Sequence, residues 1–195
     1  MLLINLGVTL KSNYLYIFII FLFFAYAFPS KTLPKEPKFE YQNNEEFIIS
    51  LNNCADYLER NINKSLHIPR SIMLAQSIIE SDYGTSRFAI EGNNLFGVMT
   101  FNLEEPHLKP FKNKQSKFGA RKYKTKCQSV KHYIEVLNTG SAFIDFRNLR
   151  KKMLKHGKLT EADVIILSGT LSKYAENKDY VYLLRKTIKS LNKNY

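Results

Sequence analysis

The chain of 195 residues has no tryptophan, two cysteines, six prolines and eight glycines. Each scarcity excludes something. Without Trp, any aromatic surface must come from the 12 Tyr and 14 Phe. The two cysteines, Cys54 and Cys127, form no CxxC pair, which excludes a thiolate zinc ribbon, a thioredoxin-like redox site and a disulfide-dense scaffold. They leave either one bridge or two buried free thiols. The four histidines, His67, His107, His132 and His156, show no HExxH or similar ligand spacing. Neither a metal site nor a cofactor is therefore expected. Acidic residues are also few, 17 against 29 Lys and Arg, for a formal net charge of +12. A basic chain favours polyanionic partners, meaning nucleic acid, anionic lipid or an anionic wall polymer, although drift toward Lys alone gives the same excess. The densest basic run, Arg121 to Lys126, alternates charge with aromatic or small residues. It suits phosphate contacts and the solvated face of an exposed strand equally.

With 45% hydrophobic residues, the chain can bury one core but is too short for two full-sized domains. Tyr14 to Phe28 is almost wholly apolar, follows Lys11, and ends near the small-x-small element Ala25-Tyr26-Ala27. A run of about fifteen residues is short for a membrane span and suits a signal-peptide core. Residues 1–27 are expected to be a signal peptide cleaved after Ala27, with an uncleaved anchor as the alternative. Export would place the chain in the periplasm or cell envelope, away from the chromosome, so no nucleic-acid partner is expected. Residues 28–43, with Pro29, Pro34 and Pro37, read as a linker, and residues 44–195 as the globular domain.

Within that domain, Asn43 and Asn44 can cap a helix from Glu45 to Asn63. Pro69 suits the first turn of a second helix ending near Ser81 or Asp82, before Gly84. Residues 85–126 lose helical spacing and predict turns with a small β-element. Helical stripes then return, at Val130 to Leu137, at Phe143 to Met153, after Thr160, and at Val181 to Leu191. The second helix is apolar almost all round, which marks it as buried. Glu80 lies near its C-terminal end, one turn after Gln76. Burial and the negative end of the helix dipole both disfavour a charged carboxylate there and raise its pKa. A raised pKa lets a general acid hold its proton near neutrality. A solvated Glu at a helix end is the plainer alternative.

Four segments in order resemble one known family. Ala75-Gln76-Ser77-Ile78-Ile79-Glu80-Ser81-Asp82-Tyr83-Gly84-Thr85-Ser86 is similar to the A-Q-x-x-x-E-S-x-[WY]-G-x-S signature of bacterial endo-β-N-acetylglucosaminidases. Glu91-Gly92-Asn93-Asn94-Leu95-Phe96-Gly97 follows, similar to G-x-N-N-L-F-G. Tyr123-Lys124-Thr125 and Gln128-Ser129-Val130 resemble Y-x-[ST] and [EQ]-S-[VI]. Tyr174 to Tyr180 is similar to the closing Y-[AS]-x-x-x-x-Y element. Leu171-Ser172-Lys173-Tyr174 and Ser86-Arg87-Phe88-Ala89 point to the Bax-type branch. The resemblance implies an α+β, predominantly α, lysozyme-like fold with a small β-lobe beside a substrate groove. It implies hydrolysis of the β-1,4 bond after N-acetylglucosamine in peptidoglycan, with Glu80 as catalytic acid and Tyr180 in support; a monomer is expected. Gln76, Tyr83, Asn93, Asn94, Phe96 and Tyr174 carry over as substrate-binding positions. Tyr174 and Tyr180 also read as core, and Leu95 and Phe96 as packing under the turn.

Glycoside hydrolysis normally needs two carboxylates. Glu104 or Glu105 is the candidate for the second, and no motif fixes either. Asp82 is nearer but belongs to the same helix end. The position before Arg121 is Ala120, where many relatives carry Phe. Two other functions compete: a lytic transglycosylase on the same fold, and a wall-binding module with weak or no turnover. The positive charge would suit an anionic membrane or wall surface.

Overall fold

In the computed structural model of the chain, residues 35–110 and 115–194 are described; the expected signal peptide, residues 1–27, lies outside them. Helix α1 spans Asn44–Glu59. The Asn43 side chain accepts from the Glu46 amide at 2.9 Å, and the Glu46 carboxylate reaches back to the Gln42 amide at 2.7 Å. The first bond satisfies an amide that the helix itself leaves free, and the second ties the preceding chain to the first turn. The helix ends before the expected Asn63. Asn61 and Ile62 turn back onto the carbonyls of Leu58 and Glu59, and Asn63 caps a 3₁₀ turn at Lys64–Leu66 instead.

Helix α2, Arg70–Ser81, begins after Pro69 and is buried without a break from Ile72 to Ser77. It packs broadly against the last helix of the chain, α7 (Tyr180–Asn194). Its end is unusual. Asp82, Tyr83 and Gly84 have φ of 51°, 52° and 79°, three left-handed residues in succession, two of them not glycine. Each of those two costs about 1 kcal/mol. The turn is pinned from within: Ser81 Oγ donates to the Ser77 carbonyl and accepts from the Gly84 amide, and the Ser86 amide reaches the Ser81 carbonyl.

Helix α3, Arg87–Gly92, is capped by Ser86 and stopped by left-handed Asn93. The β-lobe follows, with β1 (Met99–Thr100), β2 (His107–Leu108) and β3 (Gly119–Arg121). They form an antiparallel sheet in the order β1-β3-β2, with Met99 opposite Ala120 and His107 opposite Arg121. Helix α4 (Lys126–Thr139) is capped by Thr125. Helices α5 (Ile144–Leu154) and α6 (Glu161–Ser168) follow, the latter with a full capping box between Thr160 and Asp163. A 3₁₀ segment, Gly169–Tyr174, leads to α7.

Cys54 on α1 and Cys127 on α4 form a disulfide, with Cα atoms 5.4 Å apart. This decides between the bridge and the two free thiols that spacing left open. The core runs continuously from Phe47 and Leu51 through Ile72 and Met73 to Leu184 and Ile188. The compact unit starts at Glu36, ahead of the expected boundary at residue 44. Phe39 and Tyr41 pack edge-on against Phe47, and the Tyr41 hydroxyl donates to the Gly84 carbonyl at 2.7 Å. The aromatic end of the expected linker thus props the turn that closes α2. Among the described residues, no helix is long and apolar enough to cross a membrane.

Candidate active site

Glu80 occupies the last turn of α2, where the largely buried helix meets the loop toward the β-lobe. Its Oε1 is buried with no hydrogen-bond partner among the described residues. Burial pushes its carboxyl group up from 4.5 to about 7, while the Tyr180 hydroxyl facing it works in the opposite direction by hydrogen bonding. An acid of that strength is half protonated at neutral pH, so it can deliver a proton there.

Gly97 lies against the Oε2 oxygen of the carboxyl group. A Cβ at Gly97 would stand 3.0 Å from Glu80 Oε2, and its φ of +64° is one that side chains disfavour. The backbone of this turn therefore approaches the acid closely. Asn94 holds the turn in place. Its amide donates to the carbonyls of Val98 and Arg121, and its Oδ1 accepts from the amides of Phe96 and Val98. All four hydrogen-bonding positions of that side chain are thereby used inside the protein.

Three tyrosines gather behind Glu80. The Tyr133 hydroxyl donates to Gln76 Oε1 at 2.7 Å, and Gln76 Nε2 donates to the Tyr180 hydroxyl at 2.8 Å. Tyr174 lies nearly parallel to Tyr180, with ring centroids 5.8 Å apart, and donates to the Phe96 carbonyl at 2.8 Å. Phe96 itself stacks on Tyr133 at 4.0 Å. Burial raises the pKa of Tyr133, Tyr174 and Tyr180, so the three phenols stay protonated.

The structure thus brings together Glu80, Gln76, Tyr180, Tyr174 and Phe96, but not all as ligand contacts. Gln76 and Phe96 are buried and Asn94 is saturated, so these three expected substrate-binding side chains present no surface to a ligand. Asn93 bridges to the carbonyls of Tyr123 and Lys124, tying the turn to the start of α4. Tyr83 is half-buried and packs on Phe47, centroids 6.0 Å apart. The two second-carboxylate candidates differ. Glu104 is exposed. Glu105 is partly covered, pairs with Arg121 at 2.6 Å and accepts from Thr100 Oγ1 at 2.9 Å. The field of this pair reaches Tyr123, whose hydroxyl bonds His132 Nδ1 at 2.7 Å, and the Tyr123 group in turn bears on Tyr174. Sequence reasoning missed Tyr133, which sits in an apolar helical stripe and reads as core; a phenol in such a stripe needs a partner, and that was the available signal. A cavity of ≈ 630 Å³ opens at the other end of α2, by Pro69, Arg70 and Leu74, and shares no residue with the Glu80 site.

Residues 58–193 match the family model glucosaminidase, described as mannosyl-glycoprotein endo-beta-N-acetylglucosaminidase. The chain belongs to the glucosaminidase family. Among curated relatives of the chain is the exo-glucosaminidase LytG of Bacillus subtilis, 30% identical over 72% of the chain and 49% of LytG. Protein bax of Escherichia coli is 29% identical over 60% of the chain and 42% of its own length. The chain thus spans about half the length of the curated relatives it matches. The crystal structure of the catalytic domain of the Listeria monocytogenes autolysin Auto aligns with a TM-score of 0.55 at 24% identity, covering 83% of this chain and 89% of that one. That likeness concerns the fold, and it agrees with the expected lysozyme-like helical domain with a small β-lobe.

Proposed function

We propose that this glucosaminidase acts in the cell envelope as a peptidoglycan hydrolase, cutting the β-1,4 bond after N-acetylglucosamine with Glu80 as general acid. The observation that carries the reading is the half-buried Glu80 side chain, whose Oε1 is buried and unpartnered and whose carboxyl group burial pushes up to about 7. A protonated Glu80 gives its proton to the leaving glycosidic oxygen as the bond breaks. The carboxylate so formed is met by the Tyr180 hydroxyl. Of the two lobe carboxylates, Glu105 is the better second group. It is partly covered and held by Arg121 and Thr100, and a carboxylate fixed in the lobe suits activation of water or stabilisation of a cationic sugar. Tyr83 and Tyr174 remain the candidates for contact with a sugar ring. The net charge of +12 would hold the protein to an anionic wall or membrane surface.

LytG is named an exo-glucosaminidase, which favours a second reading of attack from strand ends. Digestion of purified peptidoglycan by the wild type and Glu80→Gln, followed by mass spectrometry, tests both. Reducing-end N-acetylglucosamine from the wild type alone supports the proposal. Long internal fragments early in the digest mean endo cleavage, and steady release of small units means exo. Anhydro-muramic ends would replace the hydrolase with a lytic transglycosylase. Wall binding by both forms without products would leave a binding module.

A further inference from the structure

Gln76 is fully buried within α2 yet held at both ends, by Tyr133 on α4 and Tyr180 at the start of α7. We propose that Tyr133 and Gln76 form a relay that turns the Tyr180 hydroxyl so that its proton points at Glu80, which makes both of them positioning residues for the acid. This rests on the reading of Glu80 as the acid.

The argument is one of donors and acceptors. A phenol has one proton; a carboxamide donates on one side and accepts on the other. Tyr133 is completely buried, and Gln76 is its single hydrogen-bond partner among the described residues. If Tyr133 donates to Gln76 Oε1, the amide nitrogen must face Tyr180, whose oxygen then accepts. The Tyr180 proton is left over, and the group facing it is the Glu80 carboxyl. In the reversed arrangement the amide nitrogen would donate to Tyr133, whose proton would have no acceptor, and Tyr180 would spend its proton on Gln76. That leaves a buried donor unmet, which is the expensive outcome. The forward chain leaves neither phenol proton without an acceptor.

The direction matters for chemistry. As Glu80 releases its proton, negative charge grows on the carboxyl oxygens. A donor already aimed at them gains strength at that moment, because hydrogen bonds to charged acceptors are stronger. Stabilisation that grows toward the transition state is the kind that accelerates a reaction. Donation from Gln76 into the Tyr180 oxygen also polarises the phenol and makes it a better donor.

The test is a double-mutant cycle of Gln76→Met and Tyr180→Phe. The Glu80 pKa is read by carboxyl-carbon NMR titration, and kcat and KM are followed across pH on peptidoglycan. Each single change is expected to raise the Glu80 pKa by about one unit. Each should lower kcat about tenfold with KM unchanged. The double variant should be no worse than Tyr180→Phe alone, because Gln76 acts through Tyr180. Additive effects in the double, or no change in Gln76→Met, would overturn the relay. If Gln76→Met does not fold, Tyr133→Phe decides the matter. It removes a single oxygen and should move the Glu80 pKa in the same direction; an unmoved titration would sink the relay. The titration needs no substrate. A relay intact in a protein that releases no wall products would sink the proposed function alone. Products released while the Glu80 titration ignores Gln76 would sink the relay alone.

Discussion

At neutral pH, ionised Glu80 works against folding. Its folded pKa is raised from 4.5 to about 7, chiefly by burial, so the folded state holds the proton more tightly than the unfolded chain. The resulting penalty is absent below about pH 4.5, grows as pH rises, and is complete above about 7, where it amounts to roughly 3 kcal/mol. Glu80→Gln escapes it. The variant should melt with the wild type at pH 4 and several degrees above it at pH 8, while losing catalysis at both. Equal melting temperatures at pH 8 would show that the carboxylate is solvated there. The same titration sets the rate profile of the wild type, in which kcat/KM should fall as pH rises through about 7. Gly97 is the second decisive residue. Gly97→Ala puts a methyl group 3.0 Å from Glu80 Oε2 at a φ of +64°. It should cost about 1–2 kcal/mol in denaturant unfolding and displace the acid, lowering kcat far more than that loss of stability accounts for.

At the scale of elements, the sequence made α2 legible because its apolar run and flanking Pro69 and Gly84 agree with one another. It made Glu80 legible because burial and helix end push a carboxyl group the same way. The partners of Glu80 were less so. Tyr133 and Tyr180 lie 53 and 100 residues downstream of it in the chain, and a helical stripe records that a tyrosine faces inward, not which hydroxyl or amide it meets there. The resemblance makes Asn94 a substrate-binding position; a motif does not record the carbonyls and amides of Phe96, Val98 and Arg121 that fill its four positions in the fold. The β-lobe depends on that clamp. Asn94→Ala should leave the helices intact by circular dichroism, cost about 2 kcal/mol for the amides and carbonyls left unpaired, and release Gly97 from Glu80. A Glu80 pKa that stayed near 7 by NMR in this variant would show that the turn is held by something other than Asn94. Glu105→Gln tests the lobe's chemistry: a fall in kcat of at least about a hundredfold fits a base or charge-stabilising role, and a fall under tenfold leaves the lobe pair to structure.

For the whole molecule, one covalent link joins the two sides of the site. Cys54 lies on α1, whose Phe47 meets Tyr41 and Tyr83 at the turn after Glu80. Cys127 lies in the first turn of α4, the helix that carries Tyr133. The bridge closes a loop with a sequence separation of 73 that contains α2, α3 and the β-lobe, so it constrains in the unfolded chain the segments that carry Glu80, the Gly97 turn and Glu105. Loop-closure entropy for that length is worth about 4 kcal/mol. The Cys54→Ala/Cys127→Ala variant should therefore melt about 10 °C below the wild type. Its kcat at low temperature should be close to normal, because neither sulfur lies among the groups that face Glu80. A reductant should lower the melting temperature of the wild type by a similar amount and leave the variant unmoved. If the wild type were equally indifferent to reductant, the two cysteines would be unbridged in solution, and the stability of the fold would rest on the core from Phe47 to Ile188 alone.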